Sequence, residues 1–141
     1  MARILSIDYG RKRTGLAVTD PLQIIASGLA TVSTSELFEW LKAYVGREAV
    51  ELIVMGEPRQ LDGSPSENLA RVQQFVSRWR KAVPSIPIEY YDERFTSALA
   101  HRAMLDGGLR KKDRQNKALV DEISATILLE DYMQRRRNVR S

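Results

Sequence analysis

The sequence contains no cysteine, a single histidine and no long apolar run. The absence of cysteine excludes a disulfide framework, a thiolate zinc site and cysteine-based nucleophilic catalysis. The lone histidine, His101, argues against a histidine-rich metal site and against a serine–histidine triad. No stretch approaches the roughly 20 apolar residues of a membrane-spanning helix, and the start of the chain lacks a signal-peptide pattern. We therefore expect a cytoplasmic protein that makes no membrane contact.

The composition is that of a chain able to bury a core, since 43% of its 141 residues are hydrophobic and 28% are charged. This length is close to the commonest size of a single domain. No linker and no internal repeat interrupts the sequence. We therefore expect one domain over residues 1–141.

Positive charge is concentrated near the end of the sequence. Residues 1–109 contain 13 basic and 13 acidic side chains, whereas residues 110–141 contain nine basic and five acidic ones. Clustered arginine and lysine are typical of surfaces that bind a phosphate backbone. The arginine run that starts at Arg135 can equally be a solvated helix end, with a mobile basic tail over residues 135–141.

The apolar patterns predict an α/β fold. Strands are expected over residues 3–8, 15–20, 27–32, 50–56 and 86–92. Helices are expected from 34 or 35 to 48, from 64 or 66 to 83, from 96 to 106 and from 117 to 136. The first strands can form a hairpin in which Gly10 is available for a positive φ. Two helical crossovers then favour parallel pairing, which gives a mixed five-stranded sheet (three leading antiparallel strands, then parallel) with helices on both faces.

Acidic residues end two of these strands, and a third acidic pair lies early in the last helix. Asp8 ends the first strand, Asp92 and Glu93 follow the fifth, and Asp121 and Glu122 lie in the helix. Ligands of α/β sheets usually bind at the carboxyl ends of the strands. Three converging acids would suit Mg²⁺ or Mn²⁺, which prefer oxygen ligands and bind phosphate substrates. Two such ions would stabilise both the attacking and the leaving oxygen of a phosphodiester.

Each acid also has a purely structural interpretation. Asp8 can simply end a strand in a turn, and Asp92 can cap the following helix, which would leave Glu93 as the ligand. The turn over residues 56–58 can line the site or merely reverse the chain.

Periodicity in the last helix does not decide between its two acids. The expected apolar face consists of Leu119, Val120, Ile123 and Ile127. Asp121 and Glu122 both fall on its flanks. The small neighbours Ser124 and Ala125 favour Asp121, because they would allow the helix backbone to approach a sheet edge.

Four blocks of the sequence, in order, resemble the YqgF/RuvX family. They are IDYGRKRTGLAVTD (7–20), VMGEPRQLDGSPSE (54–67), YDERFTS (91–97) and KALVDEISATILLEDY (117–132). The family is described as Holliday-junction resolvases and as pre-16S rRNA nucleases with a ribonuclease-H-like fold. The resemblance therefore implies that fold for this chain.

The resemblance also implies roles for individual residues. Asp8, Glu93 and Asp121 match the family's catalytic, metal-binding acids, with Asp92 as a less firmly matched neighbour. Gly15 matches a glycine of the turn. Substrate contacts are expected from Lys12, Arg13, Arg94, Thr96, Ser97, Arg110, Lys111 and Lys112.

Three functions are compatible with these observations. The first is a metal-dependent endonuclease, for which the family resemblance implies the 5′ end of pre-16S rRNA in the small ribosomal subunit as preferred substrate and a four-way DNA junction as the alternative. A junction resolvase would have to be a homodimer that cuts symmetrically. The second is a non-catalytic RNA- or ribosome-binding module. The third is a phosphotransferase, because the Asp-x-Gly turn also resembles the phosphate loop of sugar kinases and actin-like ATPases, although those close two such domains around a nucleotide.

Overall fold

In the computed structural model, which describes residues 2–58, 67–92 and 117–140, five strands form one mixed sheet. The strands are β1 (Arg3–Asp8), β2 (Arg13–Thr19), β3 (Ala26–Ser33), β4 (Val50–Glu57) and β5 (Ile88–Asp92), in the spatial order β3-β2-β1-β4-β5. The two pairs among β1, β2 and β3 are antiparallel, and β4 pairs in parallel with both β1 and β5. This confirms the predicted mixed sheet, and it brings the carboxyl ends of β1, β4 and β5 to one edge.

Helices cover both faces of the sheet, as predicted. A 3₁₀ turn (Thr34–Glu36), α1 (Leu37–Arg47) and α2 (Leu69–Ala82) pack on one face, and α3 (Lys117–Arg140) crosses the other. The apolar residues of α2, which recur at helical spacing, are buried in the larger core, with Trp79 fully enclosed. In the part of the chain that the structure describes, no helix is long and apolar enough to cross a membrane.

Two polar side chains near the starts of the helices hold the turn after β1. No side chain caps α1: the Thr34 hydroxyl donates to the Gly10 carbonyl oxygen at 2.7 Å and lies 2.9 Å from the Thr14 hydroxyl. The second helix begins at Leu69 rather than at residue 64 or 66, after a turn at 67–68. The Asn68 amide donates to the Tyr9 carbonyl oxygen at 2.8 Å. These bonds satisfy carbonyls that the hairpin leaves unpaired beside Asp8.

Gly10 is required in this turn for a reason other than the predicted one. The only non-glycine residue with positive φ in the described ranges is Gln23, and Gly10 itself does not adopt a positive φ. A Cβ at Gly10 would lie 2.0 Å from the Arg13 carbonyl oxygen. The turn therefore requires a residue without a side chain at this position, because the chain folds back tightly on itself.

The last helix is longer than the sequence predicts. It continues to Arg140 instead of ending at Arg136, so residues 135–140 extend a helix and do not form the expected tail. Arg135 pairs with Asp131 one turn earlier at 3.5 Å, and Arg137 donates to the Ile24 carbonyl oxygen at 3.2 Å. Cations are also favourable near a helix C-terminus. The predicted helix 96–106, with His101, lies outside the described residues.

Candidate active site at the carboxyl ends of the parallel strands

Three acids end the three parallel strands. Asp8 ends β1, Glu57 ends β4, and Asp92, which ends β5, is the register partner of Glu57. Side chains alternate between faces along a strand. Ser6 contacts α3, which puts Asp8 on the α3 face, whereas Met55 and Tyr90 belong to the α1–α2 core, which puts Glu57 and Asp92 on the opposite face. Asp8 and Asp92 therefore do not share a face of the sheet.

Asp121 approaches the sheet beside Asp8. Gly15 of β2 is the register partner of Asp8, and a Cβ built on Gly15 would lie 2.1 Å from the Asp121 carbonyl oxygen and 3.1 Å from its Cβ. The backbones of β2 and α3 therefore touch at Gly15. Because directly opposed residues of an antiparallel pair share a face, the same geometry places the Asp8 side chain on the side of the sheet that α3 covers.

Two hydroxyl groups keep α3 close to the sheet on either side of this contact. The Ser6 hydroxyl, fully buried in β1, donates to the Ala125 carbonyl oxygen at 2.8 Å. The Thr31 hydroxyl of β3 donates to the Ala118 carbonyl oxygen at 2.7 Å. Such bonds form only where the helix backbone comes close to the strands. They therefore hold Asp121 at a short distance from the sheet.

The buried face of α3 differs from the predicted one. The expected apolar face was Leu119, Val120, Ile123 and Ile127, and all four are only half-buried. The buried residues are Ala125, Leu128, Leu129 and Met133. The prediction was wrong because contacts with distant strand residues orient α3: the backbone of Asp121 meets Gly15 of β2, and that of Ala125 meets Ser6 of β1. Ala125, one of the two small neighbours that favoured Asp121, thus lies where the helix backbone approaches β1.

Arg13 is the ion-pair partner of Asp121. Its Nε lies 3.0 Å from Oδ2 of Asp121, with 40% of the Arg13 side chain and 24% of the Asp121 side chain exposed. The guanidinium carries four further N–H bonds on its two terminal nitrogens. Lys12 lies in the preceding turn and is exposed. Both predicted phosphate-binding residues of this turn thus lie at the edge of the sheet that contains Asp8.

The described residues supply two of the three predicted metal ligands. Asp8 and Asp121 lie on one face, whereas Glu93 lies outside the described residues. Within residues 2–58, 67–92 and 117–140, no group of three or more histidine or acidic side chains is arranged to hold a metal ion. The other predicted substrate contacts, Arg94, Thr96, Ser97, Arg110, Lys111 and Lys112, also lie outside those ranges.

The tyrosines of this edge are poor proton acceptors. Burial raises the pKa of Tyr9, which follows Asp8, and the nearby Arg71 only partly offsets it. Burial likewise raises the pKa of Tyr90, with Arg80 lowering it and Glu57 raising it. Both phenols keep their protons at neutral pH and can act as hydrogen-bond donors.

Residues 2–135 match a family described as "RuvX: Holliday junction resolvase". The chain belongs to the RuvX family. Its relatives include a protein of Phocaeicola vulgatus that is 59% identical over 99% of this chain and 100% of its own length. A protein of Bacteroides thetaiotaomicron is 58% identical and one of Flavobacterium johnsoniae is 54% identical, each over 97% of this chain and 99% of its own length. All three are named "Putative pre-16S rRNA nuclease". The predicted family, its fold class and its nuclease class are confirmed.

Gly15 and Ser6 have structural roles that the sequence analysis did not predict: both allow the backbone of α3 to approach the sheet. Gly15 lies inside β2 and not in the turn to which the resemblance assigned it. A glycine in a strand interior often marks a close backbone approach, and this signal was present in the sequence. The pairing of Arg13 with Asp121 joins residues 108 positions apart, and no local pattern could have indicated it.

Proposed function

We propose that this chain is a metal-dependent endonuclease that hydrolyses phosphodiester bonds of structured RNA at the 5′ end of pre-16S rRNA, in the cytoplasm, during ribosome assembly. The observation that carries the proposal is the contact of Gly15 with Asp121, which sets an acid of α3 beside the acid that ends β1. The name shared by the RuvX relatives supports pre-16S rRNA as substrate.

The donor set fits a hard divalent cation. Asp8 and Asp121 offer carboxylate oxygens, and Glu93 would supply the third ligand, as the family resemblance implies. Asp92 is the weaker candidate because strand alternation places it on the opposite face from Asp8. Oδ2 of Asp121 accepts a hydrogen bond from the cationic Arg13 at 3.0 Å, so a metal ion at this carboxylate would have to displace or share that contact. A bound Mg²⁺ or Mn²⁺ would lower the pKa of a water molecule and neutralise charge on the scissile phosphate.

The protein residues orient the substrate. The terminal nitrogens of Arg13 can bind a phosphate oxygen in the fork geometry that guanidinium groups favour, and Lys12 adds a second, exposed cation. Arg94 and the segment 110–112 would hold flanking phosphates. A carboxylate of the site would orient the attacking water, and the products would carry a 5′-phosphate and a 3′-hydroxyl.

A cleavage assay with a pre-16S rRNA fragment tests the proposal. Asp8→Asn and Asp121→Asn should each lower Mn²⁺-dependent cleavage at least about 100-fold, because each removes a charged ligand. Binding of the fragment, measured by gel shift, should persist. Glu130→Gln is the matched control, since Glu130 is an exposed acid on the same helix. Retained cleavage in Asp8→Asn would overturn the metal site, and a wild-type protein that binds without cleaving would be a non-catalytic module.

A four-way DNA junction is the second candidate substrate, because the family description names junction resolution. This function requires a homodimer that makes two symmetric cuts. The same assay, run with a synthetic junction beside the RNA fragment, and sedimentation of the junction complex separate the two substrates. We expect faster cleavage of the RNA, and symmetric paired cuts by a dimer would favour the junction instead.

A further inference from the structure

The loop between β2 and β3 exposes three large aliphatic side chains at the end of the sheet away from Asp8. Leu22, Ile24 and Ile25 are 57%, 58% and 64% exposed. The loop follows the end of β2 that lies near Ile4, four residues from Asp8 along β1, or about 13 Å at 3.3 Å per residue. Clustered exposed aliphatic residues of this size mark interaction surfaces. We name residues 20–25 the β2–β3 loop.

The β2–β3 loop is held so that these side chains stay outside. One carboxylate oxygen of Asp20 accepts the backbone N–H groups of Ile24 and Ile25 at 2.8 and 2.7 Å, and the other accepts that of Leu22 at 3.1 Å. Gln23 has a φ of 58°, and its amide donates to the Ala2 carbonyl oxygen at 2.9 Å and to the carboxylate of Glu51. A partner would therefore find a preformed surface and would lose little free energy in ordering it.

A cavity of about 230 Å³ separates this loop from the end of α3. It is lined by Ile4, Leu22, Gln23, Met133, Arg136 and Arg137. Nη1 of Arg136 is buried at this place and has no hydrogen-bond partner among the described residues. A second cavity of about 480 Å³ shares Met133 and Arg137 with the first and includes Ile24 and Ile25 in its lining. A buried cationic N–H without an acceptor destabilises the free protein and favours an incoming anionic group.

We propose that the β2–β3 loop and the end of α3 form a docking surface for a protein segment in which an acidic side chain stands next to aliphatic ones. The acid would accept from Nη1 of Arg136, and the aliphatic side chains would pack on Leu22, Ile24 and Ile25. A nucleic acid would bind the arginines but would leave the aliphatic side chains unpaired.

This location leaves the candidate active site accessible, because Asp8 lies at the opposite edge of the sheet. Docking would thus place the protein on a partner while the nucleic acid occupies the other edge. The docking surface does not depend on the proposed nuclease activity, since none of its residues belongs to the site.

The test uses two synthetic peptides and the full-length protein labelled with ¹⁵N. One peptide carries paired leucines flanked by glutamates, and the other replaces every glutamate by lysine. We expect the acidic peptide alone to shift the amide signals of residues 22–25 and 133–137 saturably below about 1 mM. Ile24→Ser combined with Ile25→Ser, and separately Arg136→Met, should each weaken binding at least about tenfold. Lys81→Met, which removes an exposed cation of α2, should leave it unchanged.

Thermal unfolding separates docking from a structural role for Arg136. Because Nη1 has no hydrogen-bond partner among the described residues, Arg136→Met should keep or raise the midpoint of unfolding while it weakens peptide binding. A lowered midpoint would assign Arg136 to the fold and overturn the proposal. The proposal would also be overturned if both peptides bound equally or if neither shifted the signals. It would likewise be overturned if an RNA oligonucleotide, phosphatidylglycerol vesicles or a rising protein concentration alone produced the same shifts.

Discussion

At the scale of single residues, Gly15 controls whether the acid of α3 can stand beside the acid of β1. Any side chain there would meet the backbone of Asp121 at 2.1 Å, and a helix backbone cannot yield as a flexible side chain does. We expect Gly15→Ala to destabilise the protein by about 1–3 kcal/mol and to abolish cleavage, because α3 must move away from the sheet. Urea unfolding and the RNA cleavage assay measure the two effects.

Gly46 supplies the matched control for this substitution. It lies in α1, and a Cβ there would meet nothing within 4 Å. Gly46→Ala should therefore stabilise the protein by about 0.5–1 kcal/mol, since alanine favours a helix over glycine. Equal stability of the two variants would show that α3 does not rest on Gly15.

Arg13 would compete with the proposed metal ion for Asp121. Removing its positive charge with Arg13→Gln should tighten Mn²⁺ binding several-fold while lowering the salt slope of RNA binding by about 1, if Arg13 binds one phosphate of the RNA. Stability should change by less than about 1 kcal/mol, because both partners are partly exposed. Mn²⁺ titration followed by electron paramagnetic resonance and RNA binding at several salt concentrations test this. A large decrease in stability with unchanged Mn²⁺ and RNA binding would make Arg13 a structural brace.

At the scale of elements, β5 and α3 are joined by the Tyr91 hydroxyl, which donates to the carboxylate of Asp131. Burial raises the pKa of Tyr91, and the hydrogen bond and negative charge of Asp131 raise it further, whereas Arg135 opposes them. In the unfolded chain the phenol ionises near pH 10, but in the folded protein it keeps its proton at that pH. The contribution of Tyr91 to stability is therefore complete below about pH 10 and is lost as the pH rises further.

Tyr91→Phe tests this coupling. The variant should lose about 1 kcal/mol at pH 8, where the hydrogen bond is intact in the wild type. Its free energy of unfolding should then fall less steeply than that of the wild type between about pH 9.5 and 11. Tyr9, Tyr44 and Tyr90 also have raised pKa values, so both proteins should weaken at alkaline pH. Parallel pH profiles of wild type and variant, measured by urea unfolding, would contradict a raised pKa at Tyr91.

The elements also show what a single sequence can predict. The strands and the apolar face of α2 were predictable because period-2 and period-3.6 patterns report directly on burial. The buried face of α3 was not, since its packing depends on Gly15 and Ser6, which belong to strands more than 100 residues earlier in the sequence. Periodicity within one helix cannot detect contacts with residues so distant in the sequence.

At the scale of the whole molecule, the topology of the sheet predicts the location of more candidate site residues than any single motif does. The order of strands and crossovers predicts that β1, β4 and β5 end at one edge, and this alone places Asp8, Glu57 and Asp92 there. It does not assign faces, which depend on the register at each strand end. Asp92 shows the consequence, because it reaches the predicted edge but lies on the opposite face from Asp8.

The distribution of charge over the whole molecule predicts how salt affects substrate binding. All of the net charge of +4 arises after residue 109, so the segment 110–112 should contribute counterion release out of proportion to its length. Replacing Arg110, Lys111 and Lys112 by alanine should weaken binding of every RNA sequence alike and reduce the salt slope by about 1 for each phosphate that these side chains bind. The matched control is Lys42→Ala with Arg47→Ala and Lys81→Ala, three exposed cations of the α1–α2 face. Both triple variants lower the net charge equally, so an equal change in slope would trace the effect to overall charge, whereas a change confined to the first would assign residues 110–112 to the phosphate backbone.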